Sequence, residues 1–113
     1  LVLGNVKIKI DWGYAKDYVE AAYKIMQLKK NDFYIIGSGK KTSILDFVKK
    51  CFKYVGLNYK DYLVTDKKLF RKGATKTLVA DTSKARKDFK FKINTNLDKL
   101  IKIMMDNDLK LNK

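Results

Sequence analysis

The chain has 113 residues, 46% of them hydrophobic, which is the length of one domain with a modest core. A single cysteine excludes an internal disulfide, and the lack of any histidine argues against a zinc site. It also removes the commonest general base and the Ser–His and Cys–His nucleophile pairs. The formal charge of +14 is almost all lysine, with Arg71 and Arg86 the only arginines. Specific nucleic-acid binders gather charge on one face and favour guanidinium forks. Here the lysines are scattered, which disfavours nucleic acid as a partner and is compatible with a small anionic ligand. No apolar run approaches the roughly 20 residues needed to span a bilayer, so no membrane partner is expected. The chain opens on Leu1 rather than methionine, which reads as a fragment of something longer.

Val2 to Ile10 alternates apolar and polar residues, with Val6, Ile8 and Ile10 set against Asn5, Lys7 and Lys9, and predicts a half-buried strand. A Trp12-Gly13 turn leads into a helix over Tyr14–Leu28, its face expected from Tyr18, Ala22, Ile25 and Met26, with Val19 and Tyr23 beside it. Lys29 to Asp32 is a polar turn. The continuous apolar run Phe33-Tyr34-Ile35-Ile36 predicts a strand covered on both faces, as in a parallel sheet.

Gly37-Ser38-Gly39-Lys40-Lys41-Thr42 imitates a phosphate-binding loop. The Walker pattern needs a glycine five residues before the Gly-Lys pair, and Tyr34 stands there, so a plain strand-to-helix turn is expected. Thr42 or Ser43 can cap the next helix, where Ile44, Phe47, Val48, Cys51, Phe52 and Val55 form a stripe that Gly56 ends. Cys51 belongs to that stripe rather than to a reactive thiol site.

Tyr59 to Thr65 reads as a short strand, and Asp66 to Thr77 as a loop of the kind that carries binding residues. Asp81 is expected to cap a short helix through Thr82–Phe89. Phe91 and Ile93 make an apolar link. Thr95 is the expected cap, with Asp98 at its third helical position, of a last helix striped by Leu97, Leu100, Ile101, Met104 and Met105. The methionines read as core filling.

Beyond periodicity, several runs resemble one family in order and spacing. Leu3-Gly4-Asn5, Asp11-Trp12-Gly13 and Ala15 to Ala21 resemble "LGN…DWG.AKDYVEA" of the GDP-mannose 4,6-dehydratases, which are extended short-chain dehydrogenase/reductases. Asp32 to Ile35 resembles the family's "DFVI", and Ser43 to Phe52 its "SVREFVEKAF". Asp66, Phe70-Arg71 and Asp81 stand at the spacing of its "D…FR…D". Asp81 to Leu100 is similar to "D.TKAKKKLGWKPKVSFEEL", and Met105 to Leu109 to "MVANDL".

The resemblance implies an α/β fold, mixing short strands with about four helices. Residues 1–113 would be the C-terminal sugar-nucleotide-binding portion of a Rossmann-type extended subunit, supplying the last parallel strand of its large sheet. In the family, NADP takes hydride from C4 of the mannose, water is lost across C5–C6, and hydride returns to C6. The glycine motif and the Tyr-x-x-x-Lys pair that serve this chemistry are absent here, and Tyr14, Tyr18, Tyr23 and Tyr54 lack a lysine four residues on. The resemblance therefore assigns no catalytic, cofactor or metal residue to this chain, and leaves NADP to the N-terminal part. It places Arg71, Lys9 and Asn5 at the substrate, with Arg71 as the diphosphate contact. It further implies a cytoplasmic enzyme, homo-oligomeric at full length, acting on a GDP-sugar.

Two positions depart from the pattern. The arginine of "RDWG" is Ile10, and the carboxylate of "RPxEV" is Ala74. Both losses fit a related substrate such as a GDP-heptose, or another sugar nucleotide. A remnant domain without a catalytic partner and a basic nucleic-acid-binding module are the readings from other classes.

Overall fold

The structure is a computed structural model that describes residues 1–73 and 77–112. Its strands are β1 (Val2–Leu3), β2 (Lys9–Asp11), β3 (Lys41–Ser43) and β4 (Val64–Thr65), and its α-helices α1 (Ala15–Met26), α2 (Ile44–Tyr54), α3 (Ser83–Phe89) and α4 (Leu97–Leu111). Short 3-10 turns cover Tyr59–Asp61 and Lys67–Leu69. The expected α/β class with four helices is found.

Strand β1 pairs parallel with β4, Val2 opposite Val64 and Leu3 opposite Thr65. Strand β2 pairs antiparallel with β3, Lys9 opposite Ser43 and Asp11 opposite Lys41. The single strand expected over Val2–Ile10 is thus two strands in two sheets. Between them Lys7 N donates to Asn5 Oδ1 at 3.1 Å, a side-chain turn that competes with the ladder. Tyr59 to Thr65 is also shorter as a strand than expected. Asn58 caps a 3-10 turn by accepting from Lys60 N, so only Val64 and Thr65 remain to pair.

The run Phe33 to Ile36 pairs with no strand among the described residues, contrary to the expected buried strand. Tyr34 and Ile36 turn inward onto Ala21, Ala85 and Phe91, while Phe33 is 93% exposed and Ile35 62%. Only one face is covered, because a ladder requires a neighbouring backbone in register and the apolar run reports hydrophobicity alone.

Helix α2 forms as its stripe requires. Ser43 Oγ accepts from Asp46 N at 3.0 Å at the start, and Gly56, with φ +72°, follows at the end. Val48 of that stripe is buried, as are Leu100 and Ile101 of α4, the helix α2 packs against. Each such aliphatic side chain contributes roughly 1.5–3 kcal/mol by leaving water. Cys51 sits half-buried in the same stripe, where burial pushes its thiol above the ordinary range. The cap of α4 is Asn96, which accepts from Lys99 N at 2.9 Å, and not Thr95. Thr95 is buried and its backbone N–H donates to Asp17 Oδ2 at 3.0 Å.

That bond also explains the orientation of α1. Its buried positions are Asp17 and Ala21, with Tyr18 and Ile25 half-buried, so the helix is turned away from the expected face. Val19, Tyr23 and Met26 are left 68%, 66% and 79% exposed. The molecule measures 52 × 38 × 18 Å with a radius of gyration of 16.8 Å. A compact chain of about 100 residues has ~13 Å, so this one is a flattened slab with apolar surface on its faces.

Candidate functional site

Two of the three residues assigned from the family resemblance share a cavity. Leu3, Gly4 and Asn5, at and after the end of β1, face Leu69 and Arg71, which follow β4, across a space of about 420 Å³. Val6, Ile8 and Ile44 complete its wall. The parallel β1–β4 pairing brings these segments together, since Asp66 N continues it by donating to Leu3 O at 2.8 Å. The side chain of Asp66 then caps the Lys67–Leu69 turn by accepting from Lys68 N at 2.9 Å. Arg71 follows at the exposed rim of the cavity, and neither an ion pair nor a hydrogen bond occupies its guanidinium among the described residues. A guanidinium at the rim of a largely apolar hollow that Asn5 also lines suits a planar or diphosphate-bearing anion.

Lys9 does not line this cavity. It stands exposed on β2, where its backbone pairs with Ser43 on one side and bridges Thr77 on the other, its carbonyl accepting from Leu78 N at 3.1 Å. Ile10, in place of the expected arginine, is half-buried opposite Thr42. Ala74, the other departure, lies outside the described residues.

Sequence reasoning missed the part played by Asp11. Its carboxylate accepts from Ser38 N at 2.8 Å, Ser38 Oγ at 2.6 Å, Gly39 N at 2.8 Å and Ala80 N at 3.1 Å. Burial by itself would raise its pKa, but these bonds together outweigh that and hold it below the ordinary 3.8. The amides of Ser38 and Gly39 are thus spent on a carboxylate rather than free for a phosphate, while the expected strand-to-helix turn is corrected: β3 stands between this turn and α2, and no strand precedes it among the described residues. The Trp12 indole N–H donates to Thr42 O at 3.0 Å, and its ring stacks on Phe47 with centroids 4.2 Å apart. The available signal was the Asp11-Trp12-Gly13 run, although nothing in its spacing names Ser38 or Ala80 as partners.

A larger hollow of about 660 Å³ lies between that turn and the segment Phe91–Leu97, with Lys40, Arg86 and Lys92 around it. It contains none of the three assigned residues, and its one lining carboxylate, Asp81, is held by Ser83 N and Oγ.

Residues 1–104 match the family described as GDP-mannose 4,6 dehydratase. Among curated proteins, the chain is 40% identical over 113 residues to GDP-mannose 4,6 dehydratase 1 of Arabidopsis thaliana, covering 100% of the chain and 31% of that protein. It is 31% identical over 126 residues to the GDP-mannose 4,6 dehydratase of Dictyostelium discoideum, covering 96% and 35%. The chain therefore spans about a third of the length of the curated relatives it matches.

Solved structures show the same fold. The dTDP-glucose 4,6-dehydratase of Bacillus anthracis in complex with NAD superposes with a TM-score of 0.84 at 18% identity, over 97% of this chain and 34% of that one. RMD of Pseudomonas aeruginosa complexed with NADPH gives 0.83 at 12% identity, over 95% and 35%.

Proposed function

Because the chain belongs to the GDP-mannose 4,6-dehydratase family, we propose that it is the C-terminal, sugar-nucleotide-binding portion of such an enzyme. The observation that carries this reading is the meeting of Arg71 and Asn5 on one cavity, at the shared C-terminal end of the parallel β1–β4 pairing although they are far apart in sequence. Arg71 supplies the fixed guanidinium for the diphosphate, and Asn5 supplies an amide. Lys9, exposed on the neighbouring strand, adds positive potential without a place in the cavity wall.

The parent reaction is the conversion of GDP-mannose to its 4-keto-6-deoxy derivative. A nicotinamide cofactor, NADP on this reading, supplies the hydride transfers. The residues here do not fit that cofactor: the turn amides of Ser38 and Gly39 face Asp11, and the chain has no glycine-rich dinucleotide motif. Binding of the cofactor and the proton transfers therefore fall to other parts of the polypeptide, and this chain holds and orients the sugar nucleotide. No helix among the described residues is long and apolar enough to cross a membrane. A cytoplasmic, homo-oligomeric parent enzyme completes the proposal. Ile10 in place of an arginine favours a second reading within the same class, a GDP-heptose or related GDP-sugar as substrate.

The test is Arg71→Ala in the intact polypeptide. Losing a charge-assisted bond to phosphate costs about 1.5–3 kcal/mol, roughly a 10- to 150-fold rise in Kd for the GDP-sugar by calorimetry. An unchanged Kd would remove Arg71 from the site.

A further inference from the structure

Gly4 sits in the cavity wall directly beneath the turn that delivers Arg71. A Cβ built on it would lie 2.7 Å from the Leu69 carbonyl oxygen and 3.1 Å from the carbonyl carbon. Both are backbone atoms, so a side chain at position 4 forces a backbone shift between Gly4 and the Lys67–Leu69 turn, whose last residue is two before Arg71. Gly4 has no positive φ, so the requirement is for space rather than for an unusual conformation.

The segment that would have to move is pinned at both ends. Upstream, Leu3 pairs with Thr65 and accepts from Asp66 N. Downstream, Thr77 bridges Lys9, and Ala80 N donates to Asp11 Oδ2 at 3.1 Å. Displacement at Leu69 therefore falls first on the residues that follow it, Phe70 and Arg71.

We infer that Gly4 is a positioning residue for the Arg71 cavity: its missing side chain sets the depth at which the guanidinium stands, and so the fit to a nucleoside diphosphate. This rests on the reading of the cavity given above. A charge-assisted bond to phosphate depends on distance and direction, so a small displacement of the guanidinium weakens it.

The experiment is a double-mutant cycle in the intact polypeptide, with GDP as the probe and Kd read by calorimetry. Gly4→Ala is expected to weaken GDP binding about tenfold in the parent background and by less than about twofold when Arg71→Gln is already present. A merely structural role would weaken binding by the same factor in both backgrounds, and that result overturns the inference, as does a Gly4→Ala affinity within about twofold of the parent. If Gly4→Ala gives no cooperative thermal transition, Asp66→Ala takes its place, since it loosens the same turn by removing its cap without a clash. The same dependence on Arg71 is expected, and equal losses in both backgrounds again overturn the inference. An Arg71→Gln variant that binds GDP like the parent refutes both the cavity reading and this inference. A weakened Arg71→Gln with additive Gly4→Ala refutes the inference alone.

Discussion

Replacing Asp11 by alanine removes the acceptor for three backbone N–H groups, those of Ser38, Gly39 and Ala80, and for the Ser38 hydroxyl. A hydrogen bond to a charged acceptor is worth up to about 1.5–3 kcal/mol, but Gly39 is exposed and Asp11 only half-buried, so water recovers part of it. We expect a net loss of about 2–4 kcal/mol, a large fraction of the roughly 5–15 kcal/mol that holds a domain folded. The loss should depend on pH. The folded carboxyl titrates below its ordinary 3.8, so its contribution is complete above that value and disappears as pH falls through the folded pKa. Trp12 is the only tryptophan and stacks on Phe47 beside Asp11, so its fluorescence reports this region directly. Urea unfolding at one protein concentration should show the full gap between parent and Asp11→Ala at pH 7 and a gap that narrows progressively as pH is lowered below 3.8. A gap below about 0.5 kcal/mol at pH 7, or one that does not change with pH, would refute the reasoning.

Two further outcomes follow from packing. Phe91 is 5% exposed and packs against Ala21 and Ala85, so Phe91→Ala should cost about 3–5 kcal/mol and remove most of the cooperative thermal transition; a midpoint within a few degrees of the parent would contradict that cluster as the core. Phe33 and Ile35 present exposed apolar side chains that no strand covers among the described residues, so the chain by itself should self-associate, and Phe33→Ser with Ile35→Ser should shift its sedimentation toward monomer at little cost in stability. Unchanged association would show that these side chains are not the adhesive surface.

How much was legible beforehand follows from what each signal measures. Helix α2 was readable to its caps because its apolar stripe, Ser43 and Gly56 are local features that agree with one another. Helix α1 was readable as a helix but not in its orientation. Its buried side includes Asp17, whose carboxylate meets Thr95 N from across the fold, and apolar periodicity cannot anticipate a buried acid. The same contact takes Thr95 into the interior and leaves capping to its neighbour Asn96.

Phe33–Ile36 misled for a related reason, since hydrophobicity marks a segment fit for a sheet without supplying the strand beside it. At the site, the family resemblance pointed to Arg71, Asn5 and Lys9. Only the β1–β4 register and the Asp66 turn reveal that the first two meet and the third does not. Gly4 and Asp11 were visible as members of the matching runs, while their partners Leu69, Ser38 and Ala80 required the fold.

The most direct measurement of the central claim is hydrogen exchange of the intact polypeptide with and without GDP-mannose. The account predicts slowed exchange in peptides spanning Leu3–Val6 and Leu69–Arg71, with Ser38–Lys40 unchanged. Protection confined to the hollow around Ser38–Lys40 and Asn94–Asn96, or none in either place, would contradict it.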